Sequence, residues 1–294
     1  MRVVTYNIQW GKGRDGVVDL DRVARTVAAA DIIALQEVER HWRDMPHADQ
    51  VARLAELFPG HHPAFCTAVD FCNPATPALR RQYGLMVLSR WPILSVRSFP
   101  LPRATVLGHV SDPSILMECV IGHPERPFRV YATHLNWVSA RARLSQAEAI
   151  VRIVADAFVE GPPITDPGAP DSDFGADWLM ISRDELPPMP APAILLGDFN
   201  MMPDEAGYTA LCGPVSPWYG RLAEDGLFTD VLTRVGLPET EGITFPSDGS
   251  SPGLRIDHIL STPDLALRVR EGWIDAEADG SDHQPVWAVF DMTT

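Results

Sequence analysis

Eight polar residues of this 294-residue chain stand at the ends of β-like runs or just beyond them. Asn7 follows VVTY, Glu37 follows IIALQ, His134 follows VYAT, and Asp198 and Asn200 follow ILLG. Asp257 follows LRI, and Asp282-His283 precede the last apolar run. A strand end aims a side chain at the loop face while the strand stays rigid, and functional residues concentrate there. Carboxylate and carboxamide oxygens are ligands for hard divalent cations. An imidazole beside a carboxylate moves protons near neutral pH. Each residue alone also has a structural use: Asn7 as a turn former, Asp198 in an Asx-turn or N-cap, His134 as a satisfied core histidine. Eight together are harder to explain that way.

Such residues need a scaffold. RVVTYNI (2–8) and IIALQEV (32–38) read as strands, with a helix between them marked by Leu20, Val23 and Val27 and closed by Asp31. A further helix is expected near 47–58, ending at Phe58-Pro59-Gly60. Loop-like sequence then runs through Cys72-Asn73-Pro74-Ala75-Thr76-Pro77. Strands are expected at 83–90 and 93–99 around Trp91-Pro92, and at 114–121 and 128–134 around Gly122-His123-Pro124-Glu125. Others fall at 193–200 and near 254–261, 267–273 and 285–290. Residues 139–159 form the clearest helix, with Leu144, Ala147, Ile150, Val151, Val154 and Phe158 on one apolar stripe. The stretch 160–192 holds eight prolines and an apolar island at Trp178-Leu179-Met180-Ile181. A connection that long is usually a functional lid or partly disordered. Strand sequence resumes at 193, so it reads as an insertion within one domain spanning 1–294. Many β runs with few helices predict an α+β protein with two packed sheets.

Lys and Arg number 24 against 39 Asp and Glu, a formal net charge of −15. Nucleic-acid binders draw most of their non-specific affinity from basic faces, so this balance argues against a general grip on DNA or RNA. A local basic pocket is compatible with it. Hydrophobic content of 46% with 21% charged residues excludes wholesale disorder. Apolar runs such as IIAL at 32–35 are far short of the roughly 20 residues of a membrane span. The chain runs from Met1 directly into a strand, not a secretory signal. Neither end carries a basic amphipathic helix or lipidation signal, so no stable membrane anchor is expected. Cys66, Cys72, Cys119 and Cys212 lack C-x-x-C spacing, which argues against a zinc knuckle or thioredoxin-like site. Reduced thiols in a cytoplasmic protein are expected. A Cys66–Cys72 pair in an oxidising compartment, or a secreted mature form, is the alternative.

The order of the segments adds to this. TYNIQWG (5–11), LQEVE (35–39), YGLMVLSRWPI (83–93), YATHLN (131–136), LLGDFN (195–200), RIDHIL (255–260) and GSDHQPV (280–286) follow one another along almost the whole chain. In that order and at that spacing the chain resembles the endonuclease/exonuclease/phosphatase superfamily, the DNase I-like group. GDFN and SDH are weak alone; seven blocks in sequence are specific. The insertion at 160–192 and the segment 60–82 match none of the blocks.

The resemblance implies a four-layered α/β sandwich, with two facing mixed sheets flanked by helices, a divalent metal, and hydrolysis of a phosphate ester. Glu37 is the acid assigned first to the metal, with Asn7 and Asp282 as its neighbours, directly or through water. Mg²⁺ is expected because the ligands are carboxylate and amide oxygens, with Mn²⁺ as a substitute. In the family the histidine of the last block pairs with the aspartate of the block before it, here His283 with Asp257. Such a pair holds one tautomer and stabilises the protonated ring. Asp198 is the alternative base, with Asn200 donating to a phosphoryl oxygen. His134 matches the position that stabilises the transition state or protonates the leaving group. The sequence leaves both His283 and Asp198 open as the base.

Other residues have two readings each. Arg141, Arg143 and Gln146 either reach the site or lie on an exposed helix face. Arg80 and Arg81 either bind a second phosphate or acidic head group or form a solvated pair. Trp10, Trp137 and Trp218 either line a substrate cleft or pack in the core. Arg255 alternates onto the same strand face as Asp257. His41, His47, His61, His62, His109 and His123 match no block and are read as surface or loop residues.

The activity expected is that of a Mg²⁺- or Mn²⁺-dependent phosphoester hydrolase using water as the nucleophile. A small or lipid-derived substrate is favoured, because Lys12 is the only lysine and no Lys/Arg-rich track appears. Arginine suits bidentate contact with a defined phosphate. A DNA or RNA endo- or exonuclease is the alternative. A non-catalytic binding protein of the same fold is disfavoured, since all eight residues are chemically competent. The fold itself does not choose among these.

Overall fold

The computed structural model describes residues 1–44, 47–165, 185–224 and 226–293. In chain order its strands are β1 Arg2–Asn7, β2 Ile32–Arg40, β3 His62–Cys72, β4 Arg80–Ser89, β5 Ile93–Pro100, β6 Ile115–Ile121 and β7 Phe128–His134. They continue as β8 Ala193–Asp198, β9 Val215–Ser216, β10 Gly220–Arg221, β11 Thr229–Asp230, β12 Asp257–Ser261, β13 Val269–Ile274 and β14 Val286–Phe290. The helices are α1 Leu20–Val27, α2 Gln50–Leu57, α3 Ala140–Glu160, α4 Ala206–Cys212, α5 Val231–Arg234 and α6 Pro263–Ala266. One six-stranded sheet has the order β13-β14-β1-β2-β4-β3, and a second has the order β11-β12-β8-β7-β6-β5. Both are mixed: β1 pairs parallel with β2, and β7 parallel with β8, while the other pairs within each sheet are antiparallel.

The layering follows from side chains alternating across each strand. Val3, Ile32, Ala34 and Val87 of the first sheet pack with Met117, Val130, Ile194 and Leu196 of the second in one buried cluster. Their neighbours Val4, Tyr6, Ile33 and Leu35 face the other way, onto Leu20, Val23 and Val27 of α1 and Leu54 of α2. On the far side Tyr131, Leu195 and Leu260 meet Ala147, Ile150 and Val154 of α3 and Tyr208 and Leu211 of α4. Strands buried on both faces read as continuous apolar runs, as these do. Each buried Val, Leu or Ile contributes roughly 1.5–3 kcal/mol.

Three expectations are corrected. The loop expected after residue 60 is largely an edge strand, β3, carrying Pro63 near its start and only half buried. Edge strands tolerate proline and need no buried alternation, so the sequence carried little strand signal there. The α3 stripe holds at Ala147, Ile150 and Val154, but Phe158 is exposed, with the Arg129 guanidinium 5.3 Å from its ring centroid. His123 is buried, its ring edge-on to Trp91 at 4.4 Å between centroids. None of the four cysteines is in a disulfide. The Trp178-Leu179-Met180-Ile181 island lies outside the described residues. Among those residues no helix is long and apolar enough to cross a membrane.

Candidate active site

The second sheet lines up three of the eight residues. His134 is the register partner of Asp198 across the parallel β7–β8 pair, and Asp198 is the partner of Asp257 across the antiparallel β8–β12 pair. Gly197 permits this row. Its φ is +148°, and a Cβ there would come within 1.9 Å of the Thr133 carbonyl oxygen. His134 Nε2 lies 3.4 Å from Asp198 Oδ2. Asp198 Oδ1 accepts the Asn200 backbone N–H at 2.9 Å, and Asn200 Nδ2 donates to the Leu135 carbonyl at 3.0 Å. Asn200 has φ +52°, the left-handed conformation that asparagine tolerates. The loop after His134 is held by α3: the Asn136 N–H donates to Gln146 Oε1 at 2.9 Å, and Arg143 Nη1 donates to the Asn136 carbonyl at 3.1 Å.

The first sheet delivers Asn7 and Glu37. The β2–β4 register passes from Leu35↔Met86 to Val38↔Gly84, so Gln36 and Glu37 stand opposite one residue, Leu85. This is a β-bulge, a device that re-aims a side chain. Glu37 sits in it with φ +62°. Asn7 Nδ2 donates to Glu37 Oε1 at 3.0 Å and to Asp198 Oδ2 at 2.9 Å, joining the two sheets. Its Oδ1 accepts the Gln9 N–H at 3.0 Å. Asn7 therefore turns hydrogens, not its oxygen, toward the two acids.

The loop before β14 adds the last pair. His283 Nδ1 lies 2.9 Å from Asp257 Oδ2, and His283 Nε2 lies 3.7 Å from Asp198 Oδ2. The Ser281 hydroxyl donates to the Asn7 carbonyl at 2.7 Å and fixes this loop to β1. Asp282 Oδ2 accepts from Gln9 Nε2 at 2.7 Å. The carboxyls of Glu37, Asp257 and Asp282 are each raised above their ordinary pKa, in every case chiefly by burial. Burial alone would lower His283, but Asp257 and Asp198 outweigh it and push its pKa up to about 10. The ring is thus an imidazolium at neutral pH in this state.

Glu37, His134, Asp198, Asn200, Asp282 and His283 line one cavity of about 800 Å³. Asn7 and Asp257 lie beneath it, almost fully buried. Trp137, half exposed, and Arg143 also line it. Arg143 is buried and held by Glu205 Oε2, 2.7 Å from its Nη2, while Arg141 is exposed. The structure does not bring Arg80 or Arg81 to this cavity; Arg80 Nε instead donates to Asp70 across β3–β4 at 2.6 Å. Trp10 lines it, and Trp218 is a surface residue. Glu39, Trp42, Arg43, Tyr83, Asp112 and Phe245 were missed. Glu39 was findable, being two residues from Glu37 on one strand. Asp112 and Phe245 lie outside the strands and carry no sequence signal.

The donor set fits a hard divalent cation. It is carboxylate-rich and free of thiolate. Carboxylate oxygens of Asp198 and Asp257 lie within 4.8 Å of one another. Asp257 Oδ1 is buried with no hydrogen-bond partner.

Two mixed sheets packed face to face between helices, with acids and histidines gathered at their strand ends, define the DNase I-like fold class. The model of the endonuclease/exonuclease/phosphatase family matches residues 4–283, and the chain belongs to that family. Solved structures similar to it include an endonuclease/exonuclease/phosphatase from Beutenbergia cavernae, 24% identical with a TM-score of 0.62, over 98% of this chain and 70% of that one. Mannosyl-6-phosphatase from Bacteroides thetaiotaomicron is 18% identical with a TM-score of 0.65, over 99% of both chains. Truncated TDP2 from Caenorhabditis elegans is 18% identical with a TM-score of 0.61, over 98% of this chain and 96% of that one. No curated protein matches the chain.

Proposed function

We propose that this protein is a divalent-metal-dependent phosphoester hydrolase acting on a small or lipid-derived substrate. The observation that carries the reading is the convergence of Glu37, Asp198, Asp282, His134 and His283 on one cavity where the two sheets meet. Glu37 and Asp282 would hold the cation, with Asp198 beside them. A cation bound there would neutralise charge on the phosphoryl and leaving oxygens. Asn7 acts as a positioning residue, donating to Glu37 and Asp198 at once.

The proton assignments follow from the same distances. His283, charged and fixed by Asp257, donates toward a phosphoryl oxygen and stabilises its developing charge. Asp198 is then the base that takes the proton of the attacking water. It is already oriented by the Asn7 side chain and the Asn200 N–H, and it stands next to His134. His134 is placed to protonate the leaving oxygen. One domain spanning the chain is part of this reading, because the site draws on residues from Asn7 to His283.

The cavity supports a compact substrate. Its walls are aromatic at Trp10, Trp42, Tyr83 and Trp137, and it offers Arg43 and Arg143 but no basic track. Hydrolysis of p-nitrophenyl phosphate or bis-p-nitrophenyl phosphate, dependent on Mg²⁺ or Mn²⁺ and lost in EDTA, with supercoiled plasmid left intact, is the expected result. Plasmid nicking would favour the nuclease alternative.

A further inference from the structure

We propose that a second cavity, beside Asp282, is a subsite for a second phosphate group of the substrate, held by Lys12 and Arg14. The proposal rests on the phosphoesterase reading above and adds a substrate class: a phosphoester that carries another phosphate away from the scissile one.

This cavity has a volume of about 420 Å³ and is lined by Gln9, Lys12, Arg14, Asp15, Ser247 and Asp248 among others. Asp282 lines both it and the catalytic cavity, so the two adjoin at a residue of the site. Lys12 is the only lysine of the chain. Its Nζ lies 5.6 Å from the ring centroid of Trp10, which lines the catalytic cavity. Lys12 thus bridges the two spaces.

Asp15, Asp248 and Asp282 also line this cavity, but each is engaged elsewhere. Among the described residues neither Lys12 nor Arg14 forms an ion pair, whereas Asp15 receives both terminal nitrogens of Arg22 at 2.9 Å. Asp248 accepts the Ser250 N–H at 2.9 Å, and Asp282 is held by Gln9. Arg14 donates through Nη2 to the Ala278 carbonyl, which anchors the side chain; among the described residues no other partner takes its remaining N–H groups.

The backbone that presents them is strained. Gln9 and Trp10 have φ +44° and +49°, two successive non-glycine residues in the left-handed region. That turn aims Gln9 at Asp282, places Trp10 at the catalytic cavity, and brings Lys12 to the second one. Charge gives the arrangement its use. A second phosphate would be repelled by Glu37, Asp198 and Asp282 inside the catalytic cavity. Just past Asp282 it would meet an ammonium and a guanidinium beside Asp248, with Asp15 already held by Arg22.

The test measures binding without turnover, by titration calorimetry in Ca²⁺. Two pairs of probes differ by one phosphate each: thymidine 3′,5′-bisphosphate against thymidine 5′-monophosphate, and glucose 1,6-bisphosphate against glucose 1-phosphate. The bisphosphate of at least one pair should bind about tenfold tighter, the worth of a charge-assisted contact. In the Lys12→Met/Arg14→Met double variant that ratio should fall below about twofold, and Lys12→Arg alone should keep it. A preference confined to the thymidine pair assigns the phosphate to a nucleotide, and one in both pairs to small bisphosphates in general. Equal affinities within both pairs, or a ratio the double variant leaves intact, overturn the subsite. Bisphosphate preference in a protein that hydrolyses no phosphoester would instead contradict the phosphoesterase reading alone.

Discussion

Asp198 and Asp257 are direct register partners across β8 and β12, two buried carboxylates side by side in one ladder. Like charges directly opposite one another are destabilising. His283 answers both: it bonds Asp257 and lies 3.7 Å from Asp198. Burial opposes the charged ring, but the two carboxylates win, and its pKa rises to about 10.

In Asp257→Asn the dominant favourable charge is gone, so the His283 pKa should fall back toward its ordinary 6.5. NMR titration of the metal-free protein should show His283 charged through pH 8 in the wild type and titrating below pH 8 in the variant. The linked stability has a definite sign. A raised folded pKa stabilises fully below about 6.5, and the contribution is lost as pH rises through about 10. An unshifted titration in Asp257→Asn would remove Asp257 as the partner that charges the ring.

Glu39 gives the opposite lesson, because here burial wins. Its pKa is pushed up to about 7, despite Arg43 at 3.1 Å, and one carboxylate oxygen has no partner. The fold favours the protonated acid, so stability is full below the ordinary 4.5 and falls as pH rises through about 7. Glu39→Gln should therefore gain on the wild type between pH 5 and pH 8, by up to about 3 kcal/mol. Chemical denaturation at the two pH values checks it; a gap that does not widen would contradict the burial argument.

Arg255 and Asp230 form a buried ion pair at 2.6 Å, with Tyr208 donating to the same carboxylate oxygen. Asp230 also accepts N–H bonds from Leu232 and Thr233 at the start of α5. Arg255→Met leaves the buried carboxylate with only Tyr208, the two N–H groups of α5 and His258 Nδ1 at 3.8 Å, and should cost about 3–5 kcal/mol. Urea unfolding measures it, and a loss below about 1 kcal/mol would mean that the pair is not holding this corner.

Gly197→Ala should be disproportionately harmful for one methyl group. The added carbon meets backbone, the Thr133 carbonyl, so β8 must move away from β7. Separating those strands parts His134 from Asp198. Soluble protein with wild-type activity and melting temperature would contradict the packing argument.

Much of this was readable in advance, for a physical reason. Strands buried on both faces leave long apolar runs, so β1, β2, β7 and β8 were legible, and with them the site residues at their ends. Half-buried β3 was not, and neither was the bulge that turns Glu37 inward, because a bulge needs a partner strand to exist. Asn7 was placed as a metal neighbour by the family resemblance. Its amide orientation depends on the Gln9 N–H, a tertiary detail no residue type announces. Arg143 was ambiguous between helix surface and site until Glu205 and the Asn136 carbonyl were seen to bury it.

The central claim is that Glu37 holds the divalent cation that hydrolysis needs, and one comparison tests it most directly. Rates of bis-p-nitrophenyl phosphate and p-nitrophenyl phosphate hydrolysis would be measured across a Mg²⁺ titration for the wild type and Glu37→Gln, with EDTA controls and melting curves to confirm folding. The expected result is metal-dependent turnover in the wild type and a loss on the order of 10²-fold or more in the variant, unrecovered at high Mg²⁺. Equal rates for the two proteins at saturating Mg²⁺, or turnover indifferent to EDTA, would contradict it.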